Sequence, residues 1–142
     1  MNYVIIGMDN VLADNSHRLQ YRDNDVMKFY GSCEDDIPYG NAVKLIRSLD
    51  HHNTFVYVIA NRPKAIKAKT QNWLTNHIGL EFPDNLVMRP NNDSRPLSVF
   101  KEEWFQSHFS EIDKSDILFV LDNGVECVEM WRRNGLFCLQ SL

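Results

Sequence analysis

Residues 2–10 read NYVIIGMDN, a short apolar run rich in β-branched and aromatic residues that stops at the polar pair Asp9-Asn10. A run of this length without polar alternation is the mark of a strand covered on both faces, with a loop behind it. Outward from it, the same signature recurs at 54–59 (TFVYVI), 85–88 (NLVM), 117–121 (ILFVL) and 136–139 (LFCL). Five short buried strands are predicted.

Helical spacing fills the intervals. Residues 41–49 place Val43 and Ile46 on one face, with Leu45 and Leu49 beside it; residues 63–77 open with Pro63 at a first helical position and carry Ile66, Trp73 and Leu74. Residues 97–109 and 125–134 follow, the last with Arg132 and Arg133 in its final turn and Gly135 where a left-handed cap is wanted. Alternating strand and helix implies an α/β fold: an open, mostly parallel five-stranded sheet with helices on both faces. Ligands then sit in the crevice beyond the carboxyl ends of the strands.

Composition agrees with a folded domain. The chain has 142 residues, 44% apolar and 11% aromatic, which excludes a disordered polymer, and no internal repeat or linker divides it, so residues 1–142 are expected to form one domain. No apolar run approaches the roughly 20 residues of a bilayer span, and the N-terminus lacks a basic start and cleavage site, so a cytoplasmic protein with no membrane partner is expected. Cys33, Cys127 and Cys138 are an odd set without CxxC spacing and read as buried free thiols. A net charge of -4 argues against coating duplex DNA by charge alone, but Arg62, Lys64, Lys67 and Lys69 lie in a stretch without acids, and Arg89 and Arg95 extend that basic patch. The five histidines show no HExxH spacing, and no Walker or G-x-G-x-x-G loop is present.

Chemistry is sought at the strand ends. There stand Asp9 and Asn10 after the first strand, Ala60, Asn61 and Arg62 after the second, and Asp122 and Asn123 after the fourth, with Lys101 in the preceding helix. Asp9, Arg62, Lys101 and Asp122 are the candidates to converge on one crevice. Two carboxylates and two cations suit an oxyanion such as phosphate, with or without a hard cation like Mg²⁺. His17-Arg18 is a further candidate anion contact, and Tyr30 a candidate cover for the crevice.

Residues 4–18 (VIIGMDNVLADNSHR), 25–38 (DVMKFYGSCEDDIP), 60–74 (ANRPKAIKAKTQNWL), 87–104 (VMRPNNDSRPLSVFKEEW) and 120–140 (VLDNGVECVEMWRRNGLFCLQ) together resemble the haloacid dehalogenase (HAD) superfamily. Within it they are similar to the phosphatase domain of phage polynucleotide kinase and its stand-alone relatives. The resemblance implies a Rossmann-like core with a small helical insert after the first strand and no large cap. It also implies a set of roles, several of which this chain has lost. Family members carry a nucleophilic Asp at the end of the first strand and a general-acid Asp two residues on; here these positions are Gly7 and Asp9. The Gly and Thr that usually follow are Asn10 and Val11. The Ser or Thr that holds a phosphoryl oxygen is Ala60, and its neighbouring Gly is Asn61. Arg62 and Lys101 match phosphate-contacting positions, and a later helical Arg appears as Lys67. The acidic pair that holds Mg²⁺ is reduced to Asp122 followed by Asn123.

Without a side chain at position 7 no aspartyl-phosphate forms there, and loss of a covalent nucleophile can cost about 10⁶ in turnover. The expectation is therefore a catalytically inactive HAD-like pseudophosphatase, with Asp9 vestigial, that acts as a binding or inhibitory protein. The resemblance implies a phage source and a target among host proteins or the nucleic-acid machinery. A protein partner is expected first, and nucleic acid through the patch Lys64, Lys69, Arg89 and Arg95. Cofactors are expected to be none beyond a weak Mg²⁺ site at Asp122 with Asp9. Two readings stay open beside this one: a binder of phosphate, nucleotide or nucleic-acid 3′ ends through Arg62, Lys67 and Lys101, and a residual Mg-dependent polynucleotide 3′-phosphatase or nucleotidase.

Overall fold

A computed structural model of the chain describes residues 1–79 and 85–141. In chain order its regular elements are β1 (Asn2–Gly7), β2 (Ala13–Asp14), α1 (Val26–Gly31), β3 (Ile37–Pro38), α2 (Gly40–Arg47), β4 (Thr54–Pro63), α3 (Lys67–Ile78), β5 (Leu86–Arg89), α4 (Leu97–His108), β6 (Ile117–Asp122), α5 (Val125–Arg133) and β7 (Cys138–Gln140). Short 3₁₀ turns flank α1, precede α3 and lead into β6.

The five expected strands form one sheet in the order β5-β4-β1-β6-β7, and every pairing in it is parallel. β1 is central, so its alternate residues are covered from both sides. Val4, Ile6 and Met8 pack with Val43 and Ile46 of α2 and with Trp73 and Leu74 of α3. Ile5 faces the other way, onto a layer that includes Phe100 and Phe105 of α4 and Val128 and Trp131 of α5. Each fully buried Val, Leu, Ile or Phe contributes about 1.5–3 kcal/mol from removal of apolar surface, which is why continuous apolar strands end up between helical layers. The three cysteines are free and buried, Cys127 and Cys138 in the second of these layers and Cys33 in the insert. Among the described residues no helix is long and apolar enough to cross a membrane.

Two features depart from the sequence expectation. Pro63 is not the first helical residue: with ψ at 152° it closes β4, where it pairs with Arg89, and α3 begins at Lys67 after a 3₁₀ turn. The fixed φ of proline suits a strand end as well as a helix start, so composition alone did not separate the two. The insert after β1 is also closed at its base by an antiparallel ribbon of β2 and β3, each two residues long. The chain enters it through a tight turn in which Met8 O accepts from Leu12 N and Ala13 N, with Asn10 in the left-handed region at φ 62°. α5 ends at the predicted site, with Gly135 at φ 82°.

Candidate functional site

The ends of β1, β4 and β6 and the insert enclose a crevice of about 300 Å³, lined among others by Asp9, Tyr30, Asn61, Lys101, Asp122 and Asn123. Three of the four candidate residues, Asp9, Lys101 and Asp122, therefore meet here. The fourth, Arg62, is fully buried beneath the floor and reaches the crevice only through Asp9.

On the β6 side, Lys101 Nζ donates to Asp122 Oδ2 at 2.7 Å, and the buried indole Nε1 of Trp131 donates to the same oxygen at 2.9 Å. Oδ1 accepts from the backbone amide of Asn123 at 2.9 Å. Both carboxylate oxygens are thus held, and Oδ1 is directed at Gly7. A Cβ at position 7 would stand 2.7 Å from it and 3.4 Å from Val11 Cγ2. Gly7 is an ordinary β1 residue paired with Ile59, so glycine is required there for room and not for backbone conformation.

On the β4 side, Asp9 Oδ1 accepts from Arg62 Nε at 3.0 Å and from the Arg18 guanidinium at 3.4 Å, and Oδ2 accepts from the Asn61 amide at 2.9 Å. Burial pushes this carboxyl up, but the charges of Arg62 and Arg18, with hydrogen bonds from Arg62 and the Asn61 amide, outweigh it and hold Asp9 below the usual carboxylate range. Behind it lies a second carboxylate. Buried Asp36 accepts from Arg18 Nε at 2.8 Å, from the Arg62 guanidinium at 2.9 Å and has His17 Nε2 at 2.7 Å. The carbonyl of Asp36 accepts from Trp73 Nε1 at 2.8 Å, and Arg62 also donates to Thr70 at 3.2 Å. Arg18 is accordingly buried against Asp36, while His17 reaches Asp36 from an exposed position. Asp36 was the residue that sequence reasoning missed: it closes the acidic run Glu34-Asp35-Asp36 and follows none of the five predicted strands.

The remaining candidates lie elsewhere. Lys67, with Lys64 and Arg95, lines a separate groove of about 600 Å³ beside β5 and α4. Lys69 Nζ donates to the carbonyl of Gly31 at 2.7 Å and so ties α3 to the insert. Arg89 donates to Asn61 at 3.0 Å and to Asp93 at 3.3 Å, while Arg95 pairs with Asp93 and Glu103. Two cations of the sequence patch are thus matched by acids. Ala60 is fully buried and offers no hydroxyl at the end of β4. Among the described residues no group of three or more His, Cys, Asp or Glu side chains is placed to hold a metal ion.

A parallel five-stranded α/β sheet with acids after its first and fourth chain-order strands, a lysine from the helix between them and a small insert after β1 defines a HAD-like phosphatase-type domain. The family model of the polynucleotide kinase PNKP phosphatase domain matches residues 1–141, and the chain belongs to that family. A chain from a solved Pnkp1/Rnl/Hen1 complex is similar at 25% identity and a TM-score of 0.77, over 99% of this chain and 45% of that one. A chain from a Pnkp1/Rnl/Hen1 RNA repair complex gives the same identity and TM-score, over 99% of this chain and 42% of that one. The chain spans less than half the length of either.

Proposed function

We propose that this domain is a catalytically silent member of its family that works by binding. One observation carries the reading: the carboxylate of Asp122, pinned by Lys101, Trp131 and the Asn123 amide, projects into the space where a side chain at position 7 would begin. The position that the family resemblance assigns to the nucleophile is empty of a side chain, and a Cβ there would require Asp122 to move.

The neighbouring groups are committed in the same sense. A carboxyl held ionised by two guanidinium groups is a poor proton donor at neutral pH, so Asp9 is ill-suited to act as general acid. Lys101 already pairs with Asp122, which reduces the charge it offers a phosphoryl oxygen. The donor set does not fit a resident Mg²⁺ either, since a hard cation would compete with Lys101 for Asp122 and with Arg62 and Arg18 for Asp9. The similar chains come from complexes with other proteins, which supports a role exercised in association. An inhibitory action on a host protein or on nucleic-acid machinery, with a phage source, extends this reading.

The test is steady-state hydrolysis of an aryl phosphate with added Mg²⁺. No release above that of the Asp9→Asn variant is expected; turnover that Asp9→Asn abolishes rejects the reading.

A further inference from the structure

The floor of the crevice has spent its charges, and the crevice has kept its amides. Asp9 is paired with Arg62 and Arg18, Arg62 and Arg18 also with Asp36, and Lys101 with Asp122, so three carboxylates meet three cations and the floor is neutral. Asn10, Asn15 and Asn123 line the same crevice, and among the described residues their side-chain amides make no hydrogen bond. Asn15 is only 7% exposed, and its Oδ1 is a buried acceptor without a partner, an uncommon feature that calls for a donor from outside the chain. Phe29 and Tyr30 form an aromatic wall on the insert side, their ring centroids 5.0 Å apart. At about 300 Å³ the space lies at the small end of ligand sites and suits one ring system.

We infer that the crevice binds a nucleobase presented without phosphate, recognised by the carboxamides of Asn10, Asn15 and Asn123 and by the aromatic wall of Phe29 and Tyr30. A carboxamide carries a donor and an acceptor side by side and matches the paired donor and acceptor on a base edge, while aromatic side chains stack on any base face. An anion gains little at the floor, where each cation is already paired beneath or beside a carboxylate; the one other lining cation among the described residues, Arg22, stands exposed at the rim beside Asp23 at 3.6 Å. The inference deepens the binding role proposed above and rests on it.

The experiment is titration of the full chain with adenosine, guanosine, cytidine and uridine, then with the 3′-monophosphate of whichever binds and with inorganic phosphate, followed by side-chain amide NMR. At least one nucleoside is expected to shift the amide resonances of Asn10, Asn15 and Asn123, its 3′-monophosphate to bind no tighter, and phosphate not to displace it. Asn123→Ala, at a half-buried position, and Asn15→Ala should each weaken binding by about 3–10-fold, the value of one neutral hydrogen bond. No shift with any of the four nucleosides, shifts confined to other residues, or tighter binding of the 3′-monophosphate overturns the inference. Failure of nucleoside binding without phosphatase turnover leaves the silent-domain reading in place; turnover rejects that reading whatever the nucleosides do.

Discussion

Asp122 Oδ1 lies 2.7 Å from where the Cβ of a residue at position 7 would be, so a side chain there and the Asp122 carboxylate cannot both keep these places. Such a contact must be relieved by movement, and Asp122 is anchored through both oxygens. Gly7→Ala is therefore expected to destabilise the fold by about 1–3 kcal/mol, as overpacking of a close-packed interior does. Chemical denaturation measures this. In an Asp122→Ala background the same substitution should cost clearly less; an equal cost in both backgrounds would show that the two positions do not compete.

Lys101 and Asp122 are both buried, at 3% and 4% exposure, so removing one partner strands the other's charge away from water. Lys101→Met should cost about 3–5 kcal/mol, and Lys101→Met with Asp122→Asn substantially less, because the stranded charge is then gone. Urea midpoints of the two variants decide it. The double variant should also lose the Trp131 contact to a charged acceptor, visible as a change in indole fluorescence.

Acid titration addresses Asp9. Its carboxyl is held below the ordinary value of 3.8, so its ionisation stabilises the fold fully above that value, and the stabilisation is lost as pH falls through the lower folded-state value. The stability gap between the unaltered chain and Asp9→Asn is expected to be constant from neutral pH down to about 5 and to shrink steadily below the ordinary carboxylate range. A gap that stays constant down to pH 2 would contradict the assigned ion pairing.

Most of the sheet could be read in advance because strands covered on both faces need continuous apolar runs, and β1, β4, β5 and β6 each show one; β7, expected as a buried strand over 136–139, is instead an edge strand with Leu139 and Gln140 exposed. The ribbon of β2 and β3 could not, since two residues carry no period. At the site, Asp9, Lys101 and Asp122 were legible as residues at or beside strand ends. The destination of Arg62 was not: whether an arginine after a strand faces the crevice or turns beneath it depends on the partner waiting there, and that partner, Asp36, lies 26 residues earlier in the chain. Lys67 shows the converse. The resemblance, which matches it to a later helical Arg, placed it with the phosphate contacts, but α3 carries it to the groove beside β5.

Asp36 joins the insert to the core through Arg18, Arg62 and the Trp73 contact to its carbonyl. Asp36→Asn leaves two buried guanidinium groups sharing Asp9 alone, and a loss of about 3–5 kcal/mol is expected for breaking buried pairs of this kind. Hydrogen exchange should rise first in residues 16–35, before the sheet is affected. Uniform exchange across β1 and the insert would argue that the network does not hold the insert in particular.

Single-turnover phosphate release bears most directly on the claim that the domain is silent. With the chain in excess over a 3′-phosphorylated oligonucleotide and Mg²⁺ present, even one event per molecule over hours is detectable. Because the resemblance places the nucleophile at Gly7, which has no side chain, no release above the Asp9→Asn control is expected. Release by the unaltered chain that Asp9→Asn abolishes would show that an intact nucleophile exists elsewhere in the crevice and would contradict the claim.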